Sequence, residues 1–320
     1  MGGNALTDCN CIRVRAKLYY SIKSIILKIL SDYLNLIPII EMPEKETFGD
    51  LDLMYDNDLD IDTLIGIITK LFLPEKYITN GKIFSFSYKL NETEFFEIDL
   101  IKVSNISMSE FYFGYGEVGC ILGCMLKKYK LTFGQEGLWI NYEDEKIILS
   151  TDPEEICSFL GLDYNKWKYT FCNPEELFDW ITKCRYFNKN DFNPKSVNSK
   201  YKKFYEKRPF FKKFLDEYVP SLEIINEPIN FTVLDYIIMF KKQNEKEIID
   251  KKISIKRLHR EKFNGQVFLL HTEAKNINQY KKKFKEHISL NEDEFNKYLY
   301  EHDIEFINKK IEEFILENPL

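Results

Sequence analysis

Two short runs in this sequence place acidic residues at every second position among apolar ones: "GDLDLMY" carries Asp50 and Asp52, and "FFEIDLI" carries Glu97 and Asp99. Residues two apart in a β-strand share a face, with Cα atoms roughly 6.6 Å apart. Each pair therefore shows two carboxylates on one side, while Leu51 and Leu53, or Phe96, Ile98 and Leu100, turn to a core. Carboxylates so placed repel one another unless a cation sits between them. If the two strands pair, three or four carboxylates converge, and an all-oxygen set of that kind suits Mg²⁺ or Mn²⁺. Two such ions, about 3.5–4 Å apart, can clamp the attacking and leaving oxygens of a phosphoryl transfer. A single alternating pair is commonly just the wet face of a half-exposed sheet; a second pair, and the Gly-Asp step before the first, favour the metal. Asp56, Asp58 and Asp60 lie past the strand and read as a solvated turn and a helix cap.

The elements that must position these groups follow from periodicity. Residues 12–36 carry apolar positions at helical spacing (Leu18, Ile22, Ile25, Ile26, Ile29, Leu30, Leu34) and predict one long amphipathic helix. Pro38 and Pro43 bracket an extended piece ahead of the "FGDLDLMY" strand, and "DIDTLIGIITKLF" reads as a helix capped by an aspartate. "GKIFSFSYKL" and "TEFFEIDLIKV", separated by a short turn, read as antiparallel strands. Together they predict a small α/β domain over about the first 105 residues. Residues 111–130 look like a glycine-rich turn opening a helix, and from about 171 the pattern is helical to the end.

Composition bounds the rest. The 320 residues are 44% hydrophobic and 15% aromatic, with a net charge of −6, which allows more than one domain and excludes a polybasic molecule overall. The seven cysteines are an odd set without a CxxC pair, which argues against a disulfide framework or a zinc site and for a reducing compartment. No apolar run reaches the roughly 20 residues of a membrane helix, and "MGGNALTDCN" lacks signal-peptide regions. An intracellular protein, cytoplasmic or nuclear and with no membrane partner, is the expectation.

"GDLDLM" followed by "EIDLI" resembles the metal-binding signature of the DNA polymerase beta nucleotidyltransferase superfamily, and "KETFGDLDLM" is similar to the "KETSGDVDLL" type of sequence in family X DNA polymerases. Downstream, "YFGYGEVGCILGCMLKKYKLTFGQEGLW" resembles that family's "YFTGS" nucleotide-binding turn, its helix and its "GL" close, and "STDPEEICSFLGLDY" resembles the helix near its C-terminus. The likeness covers about residues 44–165. It implies an α+β fold: a nucleotidyltransferase catalytic, palm-like domain with a mixed sheet at 1–105, a thumb-like nucleotide-binding subdomain at 106–170, and a mainly helical, basic accessory domain at 171–320. It further implies that Asp50 and Asp52 hold two Mg²⁺ or Mn²⁺ ions and Asp99 the catalytic one. The implied reaction joins a nucleoside monophosphate from an NTP or dNTP to a nucleic-acid 3′ hydroxyl, DNA or RNA, releasing pyrophosphate. Glu97 matches no residue of known role and is expected to support the ligands at most.

The likeness has gaps. Where the family has a Gly-Ser pair and arginines that grip the triphosphate, this chain has Ile39, Ile40 and Glu41. The upstream glycine pair is Gly2-Gly3, followed by Asn4; backbone amides at a glycine turn form an anion site, so "GGNAL" is expected to fold into the cleft as a substitute phosphate cradle. With Gly49 and the turn Gly114, Tyr115 and Gly116, these make the expected nucleotide-binding set. Cys120 and Cys124 stand where the family has the Asn and Arg that inspect the base pair, and ordinary core packing accounts for them.

Between Lys183 and Lys213 lie eleven Lys or Arg against Asp191 and Glu206, interleaved with aromatics, a mixture suited to phosphate contact and base stacking. Lys200, Lys202, Lys203, Lys207 and Arg208, with Lys256, Arg257 and Arg260 of a second cluster, are the expected nucleic-acid contacts. Solvated helix faces would give the same composition. Two other functions remain open: nucleotidylation of a protein or small molecule, and a catalytically silent nucleotide- or nucleic-acid-binding module.

Overall fold

The structure, a computed structural model, describes residues 5–169, 171–192, 208–223, 229–289 and 291–319. The chain divides into two compact units, residues 1–240 and 241–320. The expected divisions near 105 and 170 both fall inside the first.

The first unit begins with strand β1 (Val14–Arg15) and helix α1 (Ala16–Leu30). The helix is shorter than the 12–36 stretch its apolar spacing predicts, because Val14 and Arg15 pair instead with Phe48 and Thr47 of β3 (Thr47–Phe48). Tyr19, Ile22, Ile26 and Leu30 form its buried stripe. Strands β2 (Leu36–Pro38) and β4 (Asp50–Tyr55) flank that excursion, followed by α2 (Ile61–Phe72), β5 (Tyr77–Asn80), β6 (Ile83–Lys89) and β7 (Phe95–Lys102). Asp60 caps α2, accepting the Thr63 N–H at 2.9 Å.

Five of these strands make one mixed sheet in the order β2-β4-β7-β6-β5. The β4–β7 pair is parallel, and the β6–β7 hairpin is antiparallel as its turn predicts. Strand alternation gives the sheet two unlike faces. One face carries Leu51, Leu53, Phe84, Phe86, Phe96, Ile98 and Leu100, which join the inward residues of α1 and α2 in the main core. The other face carries carboxylates at its upstream end and Met54 and Ile101 at its downstream end, where they join Ile39 and Val103 in a small apolar cluster.

Helices α3 (Ile106–Phe113) and α4 (Val118–Lys127) lead to an antiparallel sheet of β8 (Leu131–Gly134), β9 (Gly137–Tyr142) and β10 (Glu145–Ser150). Helices α5 (Pro153–Leu160), α6 (Tyr164–Lys168) and α7 (Pro174–Thr182) follow, then short helices at Pro209–Lys213 and Val233–Met239.

The second unit is helical, with helices at Gln243–Lys262, Gly265–Leu269, Ile277–Ile288, Glu292–Glu301 and Ile304–Glu317. Phe263, Phe268, Phe284, Phe295 and Ile311 are central to its core.

Phe48 is the keystone between the β3 segment and α1: its ring stacks on Tyr19 with centroids 3.7 Å apart. Replacing Phe48 with Ala should lower the stability of the first unit by about 3–5 kcal/mol, read as a lower urea midpoint at unchanged slope; an unchanged midpoint would mean that the ring is not part of this core.

Candidate metal centre

The parallel register of β4 and β7 sets Asp50 opposite Glu97 and Asp52 opposite Asp99, so all four carboxylates emerge on one face. Their flanking Leu51, Leu53, Ile98 and Leu100 are fully buried on the other. That burial fixes the strand rotation, since a one-residue slip would drive four acids into the core.

Among the described residues, Asp50, Glu97 and Asp99 bring one carboxylate oxygen each within 4.8 Å of the others. Asp52 shares their face but stands outside that triplet. Asp99 accepts a hydrogen bond from Ser85, its antiparallel partner on β6, yet its Oδ1 is buried without a hydrogen-bond partner. Burial is the chief cause that pushes Asp99 up to about 7; the Ser85 hydroxyl opposes it, and Glu97 and Asp50 add to it. Asp52 is raised well above the carboxylate range by burial first, then by Asp50 and Asp99. A buried oxygen lacking a donor, in a set of hard oxygen ligands kept from ionising together, is the environment a divalent cation relieves.

Glu97 does more than its position suggested. Its side chain accepts the Ala5 N–H (3.0 Å to Oε2) and the Leu6 N–H (3.1 Å), and the residue is 1% exposed. Sequence reasoning assigned Glu97 a supporting part at most, and passed over Ser85 and Ser87, which the alternation in "GKIFSFSYKL" places on the carboxylate face. Beside the aspartates, Glu41 accepts from the Tyr19 hydroxyl at 2.5 Å and pairs with Lys45 at 2.6 Å. Lys45 also lies 4.4 Å from the Phe48 ring centroid. Its positive charge lowers the Asp52 carboxyl while Glu41 raises it.

The expected nucleotide-binding residues are placed unevenly. Gly2, Gly3 and Asn4 lie outside the described residues, whereas Gly49 is buried between β3 and β4. Gly114 ends α3 so tightly that a Cβ there would stand 2.7 Å from the Glu110 carbonyl oxygen and 2.9 Å from the Trp167 ring. Tyr115 takes a left-handed φ of 55°, and its ring is enclosed at 1% exposure. It packs edge-on against Trp167 and Phe171 and donates its hydroxyl to the Trp167 carbonyl at 3.1 Å. It is therefore a packing group in the described fold and does not line an open surface. Gly116 is exposed with φ +65° and faces Met42, whose Cγ would be 3.4 Å from an added Cβ. The Tyr115 N–H donates to the Ile40 carbonyl at 2.8 Å, so the "GYG" turn and the "IPIIEMP" segment touch each other.

Lys200, Lys202, Lys203 and Lys207 lie outside the described residues. Arg208 pairs with the buried Glu117 at 3.5 Å. Lys256, Arg257 and Arg260 are exposed on the Gln243–Lys262 helix of the second unit, Arg257 bonding Glu261 at 2.8 Å. Cys120 and Cys124 are half-buried on α4, and all seven cysteines are thiols. Among the described residues no helix is long and apolar enough to cross a membrane.

Comparison of the chain with protein-family models and with curated proteins finds no match.

The raised Asp99 carboxyl makes stability depend on pH. The unfolded chain releases this proton near pH 4 and the folded chain near 7, so the unfolded state gains relative stability as pH rises between those values. In divalent-free buffer, urea titrations should show roughly 2–4 kcal/mol lost over that window from this group, and Asp99→Asn should remove that share of the slope. Identical pH profiles for the two proteins would contradict the assignment.

Proposed function

We propose that this chain is a nucleotidyltransferase, a divergent relative of the polymerase beta superfamily, which transfers a nucleoside monophosphate from an NTP or dNTP to the 3′ hydroxyl of a nucleic acid. The observation that carries the reading is the carboxylate face of β4 and β7, with the buried, donorless Oδ1 of Asp99 inside it. Asp50, Asp52 and Asp99 would hold divalent cations, Mg²⁺ or Mn²⁺. When bound, those ions supply Lewis-acid activation of the hydroxyl and neutralise charge on the departing pyrophosphate.

The surroundings of these acids support the reading. The buried leucines of β4 hold Asp50 and Asp52 in register, and Ser85 orients Asp99 through one oxygen while leaving the other to a ligand. After burial, Asp50 and Asp99, the Asp52 carboxyl also feels Glu41, which raises it, and Lys45, which lowers it. In the reaction the acceptor oxygen bonds to the α-phosphorus, the bond to the bridging oxygen of the β-phosphate breaks, pyrophosphate leaves, and the hydroxyl proton passes to solvent. The aromatic and basic stretch of residues 183–213 supports a nucleic-acid acceptor by composition.

The protein should be incubated with Mg²⁺ or Mn²⁺, each labelled NTP and dNTP, and single-stranded DNA, primed DNA or tRNA. Label should enter nucleic acid in the wild type and fall by at least about a hundredfold in Asp50→Ala and Asp99→Ala. Label attached to the protein itself would move the assignment to protein nucleotidylation, and no label anywhere would remove the transfer reaction.

A further inference from the structure

The chain's N-terminal segment is fastened at the carboxylate face by one side chain. Strand β7 begins at Phe95, two residues before Asp50 of β4 takes up its place opposite Glu97. Residues 10–12 occupy that gap beside β7. The Phe95 N–H donates to Asn10 O at 3.1 Å, the Ile12 N–H donates to Phe95 O at 2.9 Å, and Cys11 bridges Phe95 in parallel sense. Asn10 adds a side-chain bond to Thr93 O at 2.8 Å, and Asp8 pairs with Lys76 at 2.5 Å.

From there toward its start the segment turns, with Cys9 N–H donating to Leu6 O at 3.0 Å, and reaches the acids. Leu6 is buried at 2% exposure, and the Ala5 and Leu6 amides both donate to Glu97. A buried carboxylate needs such donors, and this one also has an oxygen within 4.8 Å of ligand atoms on Asp50 and Asp99. An ionised carboxylate has about four lone-pair directions, so it can keep both amides and still face the other acids.

We propose that Glu97 is a positioning residue whose carboxylate docks residues 5–12 as a wall of the metal centre, holding the Ala5 and Leu6 backbone beside the bound nucleotide. The same two amide bonds oppose the burial and the Asp50 charge that raise the Glu97 carboxyl. The docking stands on geometry alone; its part in the reaction rests on the function proposed above.

Two variants and two readouts separate those claims. Glu97→Ala removes both acceptors, whereas Glu97→Gln keeps the shape and one carbonyl acceptor. Backbone amide exchange, followed by mass spectrometry on the peptide spanning residues 5–12, should quicken by about tenfold or more in Glu97→Ala and less in Glu97→Gln. Peptides of the first unit away from the acids, such as that spanning α2 (Ile61–Phe72), should be unchanged, which shows that this unit is still folded. In the nucleotidyl-transfer assay KM for the nucleotide should rise about tenfold in Glu97→Ala with a smaller change in kcat, and Glu97→Gln should recover part of it. Unchanged exchange over residues 5–12 would overturn the docking, and faster exchange with unaltered KM and kcat would overturn its place in the site. If the wild type transfers no nucleotide, the function fails while the exchange result still decides the docking.

Discussion

Electrostatic repulsion among four carboxylates is the constraint around which the first unit is organised. Unit charges about 5 Å apart cost on the order of 3 kcal/mol per pair even at an effective dielectric constant of 20, and here Asp50, Glu97 and Asp99 approach within 4.8 Å. Hydrophobic burial on the opposite face holds them there. Leu51, Leu53, Ile98 and Leu100 are fully buried, each contributing roughly 1.5–3 kcal/mol, so the strand pair cannot rotate its acids apart without exposing its core. Without a cation, the carboxyls of Asp52 and Asp99 respond by holding their protons.

Neighbouring groups temper the same repulsion. Ser85 donates to Asp99, the amides of Ala5 and Leu6 donate to Glu97, and Lys45 lies close enough to lower Asp52. These groups come from β6, the N-terminal segment and the loop before β3, so three separate stretches of chain converge on one face. The loop is held in turn by Glu41, which accepts from Tyr19 and pairs with Lys45, and by the stack of Tyr19 on Phe48.

The paired acids and the antiparallel hairpin were legible in the sequence because strand alternation is a local pattern. Asp60 as a helix cap was legible for the same reason. The parallel pairing of β4 with β7 was not, since about forty residues separate the strands and only the shared face hints at it. The start of α1 was misread: the helix was expected from residue 12, but Val14 pairs with Phe48, a long-range contact that overrides helical periodicity. Glu97 was given a supporting part because it matches no residue of known role in the resembled family, and its partners, backbone amides, have no sequence signature. Tyr115 was expected among the nucleotide-binding residues of a glycine-rich turn, whereas Trp167 and Phe171, some fifty residues on, enclose it. The contact between the Tyr115 N–H and the Ile40 carbonyl likewise joins residues 75 positions apart and has no local signature.

The central claim is that this face binds divalent cations through Asp99. Electron paramagnetic resonance of Mn²⁺ tests it directly, because the free ion's signal falls as the protein binds it. Titration of the wild type should remove free Mn²⁺ signal saturably, Mg²⁺ should restore it by competition, and Asp99→Asn should weaken the binding by at least about tenfold. Equal binding by the two proteins, or no binding by either, would contradict the account.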